Sequence, residues 1–150
     1  MTSAYGEIPM NDETKKAVSV QAKVNGQYHK IELKRHALPY FEKDHGSALY
    51  ILQNLMGKGW RVEDITNVLN FAVRKQPAEG TDWMRYELSK TLAKLEKKDK
   101  EPTVIDDAIS INGAGNYAVL ATLVLYAALF GLDPEDAHFD DAEQLEAAHG

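Results

Sequence analysis

The sequence predicts an α+β fold, mostly helical, with an N-terminal β-hairpin packed on a compact helical bundle. Three observations predict it. Val18, Val20, Ala22 and Val24 alternate with polar residues up to an Asn25-Gly26 pair, apolar residues recur at helical spacing from His36 onward, and Asn116–Leu132 is a run without charge. Residues 17–139 read as one domain. The polar residues 1–16 are expected to be mobile, and residues 140–150 to trail off as an acidic C-terminal tail.

The hairpin spans about residues 18–33. Asn-Gly is the preferred pair for a tight type I′ turn, because both positions need positive φ. A two-residue turn there sets Val24 against Gln27, Ala22 against His29, Val20 against Ile31 and Val18 against Leu33. Ile31 and Leu33 then share a face with the valines, so turn and alternation agree on the register. Two strands alone are marginal in water, so helices must cover that face. His29 reads as a satisfied rim histidine, since no second metal ligand is in register with it.

His36–Asp44 reads as a short helix with Pro39 in its first turn, where a missing N–H costs little. Ser47–Met56 sets Leu49, Leu52, Leu55 and Met56 on one side until Gly57-Lys58-Gly59 breaks the pattern. Ile65, Val68, Leu69, Ala72 and Val73 give the best amphipathic helix, with Glu63 and Asp64 at its start. After a loop at Gln76–Thr81, Asp82–Lys98 is helical again, with Met84, Leu88, Leu92 and Leu95 on one stripe. Ile105–Gly115 reads as irregular, because Asn112, Gly113 and Gly115 break it. Asn116–Leu132 is expected to be a helix buried on all sides. Its unbroken apolar run, Tyr117–Phe130, is shorter than the ~20 residues a membrane span needs. Asp133-Pro134-Glu135-Asp136 then starts a final short helix.

Charge is distributed unevenly. The chain has 17 Lys and Arg against 23 Asp and Glu, but every basic residue lies at or before Lys100. Residues 101–150 hold ten acids and no base, while residues 1–100 hold 17 bases against 13 acids. The acidic end reads either as a solvated terminus or as a docking segment for a basic partner. Nucleic acid is not the expected ligand, which would need Lys and Arg clustered on one face. The 150 residues include no cysteine, which excludes disulfides, thiolate metal sites and cysteine nucleophiles. No apolar segment follows a basic start at the N-terminus, so no secretory signal is read, and the expected location is the cytoplasm.

Signatures of catalysis are missing. The chain has no phosphate loop with its lysine, no His-Glu-x-x-His and no Gly-x-Ser-x-Gly. Asn112–Asn116 (NGAGN) is better read as a helix start than as a phosphate nest. Asp106/Asp107, Asp140/Asp141 and the trio Glu42, Asp44 and His45 read as polar surface. No catalytic, cofactor-binding or metal-binding residue is assigned, so the chain is expected to be a binding protein and not an enzyme.

Three stretches carry a resemblance. They are the hairpin VQAKVNGQYHKIEL, residues 37–73 with their Phe-Glu pair, Gly-containing turn and acid-Ile-x-x-Val-Leu helix, and the apolar YAVLATLVLYAALFGLDPED of residues 117–136. In these the chain resembles the tail assembly chaperone family of gene transfer agents and siphophages. The resemblance covers roughly half the chain and departs at the Lys-rich helix 82–98. It implies a cytoplasmic protein of a phage-infected or prophage-bearing bacterium. Such a protein keeps the tape measure protein soluble and assists tail tube assembly, without a cofactor, a nucleic acid or a membrane. A small cytoplasmic helical adaptor or regulator unrelated to tails is the alternative.

The expected partner-binding residues are Leu129, Phe130, Phe139, Asp140, Asp141 and Leu145. Residues 133–146 carry seven acids and no base, yet include Phe139 and Leu145, which a purely solubilising tail would not need. The expected occupant is a basic helix of the tape measure protein, or a second copy using its helix 82–98. On this reading the end beyond Leu132 is dispensable for folding.

Overall fold

The structure, a computed structural model, describes residues 15–149; the segment 1–16 expected to be mobile lies, apart from Lys15 and Lys16, outside the described residues. The fold is mostly helical α+β, with a small sheet against a helical bundle. β1 (Val20–Val24) and β2 (Gln27–Ile31) form the hairpin, pairing Val20 with Ile31, Ala22 with His29 and Val24 with Gln27. Asn25 and Gly26 have φ of 50° and 82°, the two positive values a type I′ turn requires. Val20, Ala22, Val24, Ile31 and Leu33 are buried together on the helix side of the sheet.

A third strand joins this pair. β3 (His138–Asp140) lies parallel to the free edge of β1, with Ala22 beside Phe139, so the strand order is β2-β1-β3. An antiparallel bridge between Ala17 and Leu132 extends the contact. The C-terminal expectations change accordingly. The helix read from Asp133 is one 3-10 turn, Pro134–Asp136, and the stretch read as a trailing tail holds α7 (Asp141–His149). A three-residue strand is too short to show alternation, and its pairing depends on an edge more than a hundred residues away in sequence.

The helices follow as expected, with two changes. α1 (Leu38–His45) has Pro39 in its first turn; α2 (Ala48–Gln53) runs into a π-turn at Asn54–Lys58, where Gly57 takes φ 131°. α3 (Val62–Val73) begins where the Asp64 carboxylate accepts the Arg61 backbone N–H at 2.9 Å. α4 is Trp83–Leu95, capped by Asp82 accepting the Arg85 N–H. The first change is α5 (Val104–Asn112), in the stretch read as irregular. Thr103 and Asp106 form a reciprocal capping box, at 3.1 Å in both directions, and Asn112 and Gly113 end the helix without interrupting it. α3 and α5 are joined where Asn70 donates to Asp106 at 2.9 Å.

The second change is α6 (Ala118–Phe130), the central helix. Leu120, Ala121, Val124, Leu125, Ala127 and Ala128 are buried against α2, α3 and β1. It is not enclosed on all sides: Val119 and Phe130 are exposed, and Leu123 and Tyr126 are only partly covered. Among the described residues no helix is long and apolar enough to cross a membrane. The stripe of α4 also departs from the usual pattern, in which apolar stripes face a core. Met84, Leu88, Leu92 and Leu95 point to solvent, and Tyr86 is the buried residue of that helix.

Candidate docking surface

Helical geometry brings α6 residues three and four apart onto one line. Val119, Leu123, Tyr126 and Phe130 have that spacing and form the side of α6 that the core leaves open. Leu123, Tyr126 and Phe130 line a groove of about 350 Å³. The Tyr126 and Phe130 rings lie 5.1 Å apart, tilted by 52°, within the range of favourable aromatic pairs. The rim is charged: Lys16 Nζ meets Asp133 Oδ1 at 2.7 Å, and Asp136 lines the same groove. Hydrogen bonding to Asp133 raises the Lys16 ammonium above its ordinary pKa.

Two features fix the end of this groove. Gly131 has φ 81°, and a Cβ there would meet Lys16 Cβ at 2.6 Å, so a side chain would be both strained and crowded. Arg35 Nε donates to the Ala128 carbonyl at 2.9 Å, placing a cation on the C-terminal carbonyls of α6.

The six expected docking residues separate. Phe130 is 53 % exposed and stands on the groove, while the neighbouring Leu129 packs partly against the core. Phe139 is buried, its ring 6.1 Å from that of Tyr117. Asp141 is only 4 % exposed and accepts from the Asn25 backbone N–H at 2.9 Å and from the Tyr117 hydroxyl at 2.8 Å. These two residues are corrected from docking to structural roles. Asp140 is half-buried and accepts the Ala142 N–H at 3.0 Å, and Leu145 is half-buried on α7. Leu123, Tyr126 and Lys16 lie outside the expected surface, whereas Asp133 belongs to the acidic segment expected to dock. A helix apolar all round has no polar face to show which stripe stays outside.

Asp141 belongs to a polar junction. Asn112 Nδ2 donates to the Tyr117 hydroxyl at 2.8 Å and approaches Asn25 Oδ1 at 3.3 Å. The hairpin turn, the end of α5 and the start of α7 meet there. Burial, with Asp141 adding to it against the opposing Asn112 bond, pushes the Tyr117 phenol up to about 12. The expectation of a dispensable C-terminal end is therefore corrected. Cutting after Leu132 would remove β3 and leave Tyr117 and the Asn25 N–H without their acceptor.

The other polar clusters are also occupied structurally. Glu42 accepts the Ala48 N–H at 2.8 Å, Asp44 binds Tyr86 and Lys90, and His45 lies 4.9 Å from the Phe41 ring. Burial lowers the His45 pKa, with Asp44 acting against it. His29 differs from its expected satisfied state: its Nε2 is buried with no hydrogen-bond partner among the described residues. Among the described residues no three His, Asp or Glu side chains gather as a metal-ligand set. A second, larger and open groove has Lys30, Lys34, Arg74 and Lys75 in its lining, together with Glu32 and Glu79. Arg74 is engaged there with Asp106 and the carbonyls of Lys98 and Glu101.

No protein-family model, curated protein or solved structure matches the chain.

Proposed function

We propose that this chain is a tail assembly chaperone of the phage type. It is a non-catalytic binding protein of the bacterial cytoplasm that holds helices of a tape measure protein in solution and assists tail tube assembly. The observation that carries this reading is the uncovered stripe of α6, with Leu123, Tyr126 and Phe130 along a groove rimmed by Asp133 and Asp136. An amphipathic helix docks in this way, its apolar residues in a groove and its cations against acids at the rim. The resemblance in residues 20–33, 37–73 and 117–136 suggests the identity of that helix. Apolar contacts hold such a complex, while the rim acids steer association. Binding the soluble partner by mass action needs no nucleotide cycle.

The test is co-expression of the full chain with a tape measure protein from the same genome. Soluble recovery of the tape measure protein should depend on the full chain and fall with Tyr126→Glu or Phe130→Glu. Phe130→Glu, at an exposed position, should melt near the parent, while Tyr126→Glu, at a partly covered one, should melt lower yet still fold. Unchanged recovery with both variants, or an insoluble tape measure protein despite the parent chain, would overturn the reading.

A further inference from the structure

We propose that the outward face of α4 is a self-association surface, where two copies of the chain pair α4 against α4 antiparallel about a two-fold axis. This goes beyond the docking of a tail protein, because α6 and not α4 lines that groove. It also differs from an acidic end of one copy meeting the Lys-rich helix of another.

At 100° per residue, Met84, Leu88, Leu92 and Leu95 fall on one side of α4, opposite Tyr86, the residue that anchors the helix to α1. Their exposures are 83 %, 56 %, 47 % and 75 %, a continuous apolar stripe that nothing in the described chain covers. The occupant follows from the charges beside it. Arg85 and Glu96 lie on one flank of the stripe, and Glu87 and Lys94 on the other. An antiparallel two-fold pair brings each flank against the same flank of the second copy, in reversed order. When Leu88 meets Leu92 of the second copy, Met84 meets Leu95. The same register sets Arg85 against Glu96 and Glu87 against Lys94. The apolar stripe and both charged flanks are thus self-complementary in a single register, as an isologous interface requires.

The direction of pairing follows from the C-terminal end of α4. Lys94, Lys97, Lys98 and Lys100 crowd there. Parallel pairing would set these two basic clusters side by side, whereas antiparallel pairing separates them and opposes the helix dipoles. Among the described residues no ion pair within the chain involves Arg85 or Lys94, so both are free to cross an interface. Glu96 has one exposed partner, Lys98, at 3.1 Å, and Glu87 meets Lys43 and Lys90 through Oε2 alone.

The experiment is sedimentation equilibrium of the full chain over a wide concentration range, with melting temperature as the check on folding. The parent should show a reversible monomer–dimer equilibrium. Leu88→Glu should weaken it by about thirtyfold or more, as expected for an interface anchor, while the exposed site leaves the melt unchanged. Arg85→Glu or Glu96→Arg alone should each weaken the dimer, and Arg85→Glu with Glu96→Arg in one chain should restore it. In a parallel pair the double variant would instead set Glu against Glu87 and Arg against Lys94, so restoration is specific to the antiparallel arrangement. A parent monomeric throughout, a dimer indifferent to Leu88→Glu, or a double variant that stays dissociated would each overturn the proposal.

Discussion

α4 and α6 are both 13 residues long and both carry apolar stripes, yet they relate to the core in opposite ways. α6 has no charged residue, and five neighbouring elements or turns bury most of its surface. α4 alternates Lys, Arg and Glu with its leucines and touches the bundle mainly through rings and charged groups. Tyr40 stacks near Trp83 and Tyr86, with centroids 4.9 and 4.8 Å away, and Lys43, Asp44, Glu87 and Lys90 link α1 to α4. Amphipathic periodicity therefore reveals a stripe but not its direction. In α4 the aliphatic stripe is what a core would take, and Tyr86 is what the core takes.

The largest expected effect separates the two helices directly. Leu120→Asp places an unpaired carboxylate at a position with no solvent exposure, at a cost of several kcal/mol, and should unfold the chain. Leu88→Asp makes the same chemical change on an exposed stripe and should leave the monomer's stability within about 0.5 kcal/mol. Leu123→Asp, on the partly open side of α6, should fall between them and still fold. Urea denaturation of the three variants checks the order; a destabilised Leu88→Asp monomer would mean that α4 faces inward.

The next effect concerns what holds the apolar core closed at the hairpin. Asp141→Ala leaves the buried Tyr117 hydroxyl and the Asn25 N–H without their acceptor, for an expected loss of about 2–4 kcal/mol. Asp141→Asn should cost less, because an amide oxygen still accepts one of the two bonds. The same measurement on Glu143→Ala, exposed on α7, should show almost no change.

These comparisons also locate what was legible in the sequence. The hairpin register was readable because Asn25-Gly26 and the alternation on both sides of it are local and agree. α1, α2, α3, α4 and α6 were readable from spacing within each segment. α5 is hard to read because Thr103 and Asp106 mark its start more quietly than Asn112 and Gly113 mark its end. β3 was invisible, since three residues carry no period and His138–Asp140 becomes a strand only through the edge of β1. The docking residues suffered from the same non-locality. Phe139 and Asp141 looked surplus on a polar end, but they complete a sheet and a buried junction formed by residues far away in sequence. Leu123 and Tyr126 are ordinary core letters until the neighbours of α6 leave one side uncovered.

A moderate effect should separate α4 from α6 by pH. Burial works to raise the Asp44 pKa, but hydrogen bonds from Lys90 and Tyr86 outweigh it and hold the carboxyl below its ordinary value. A depressed folded pKa gives stability that is present above the unfolded value, about 3.9, and lost as pH falls through the folded one. Acid should therefore loosen α4 while α6, which has no titratable carboxylate, stays protected. Amide hydrogen exchange across pH 5 to about 2.5 reads both helices at once. Asp44→Asn should reproduce the loosening at neutral pH, by about 1 kcal/mol. Equal loss of protection in the two helices would mean that α4 opens only with the whole domain.

The smallest expected effect asks which of its contacts holds α4. The pairs Lys43–Glu87 at 2.9 Å and Lys90–Glu87 at 3.4 Å are about half exposed, so water and salt weaken them. At 1 M salt the screening length falls to about 3 Å, comparable to the pairs themselves. The Tyr40, Trp83 and Tyr86 rings and the short bond from Tyr86 to Asp44 at 2.5 Å depend far less on ionic strength. High salt and Lys43→Met should therefore leave exchange protection in α4 almost unchanged, whereas Tyr86→Ala should remove it and leave α6 protected. Loss of α4 protection in salt alone would assign its attachment to surface charge. The contrast would then no longer be between an aliphatic and an aromatic anchor, but between a helix held by the core and one held by ion pairs.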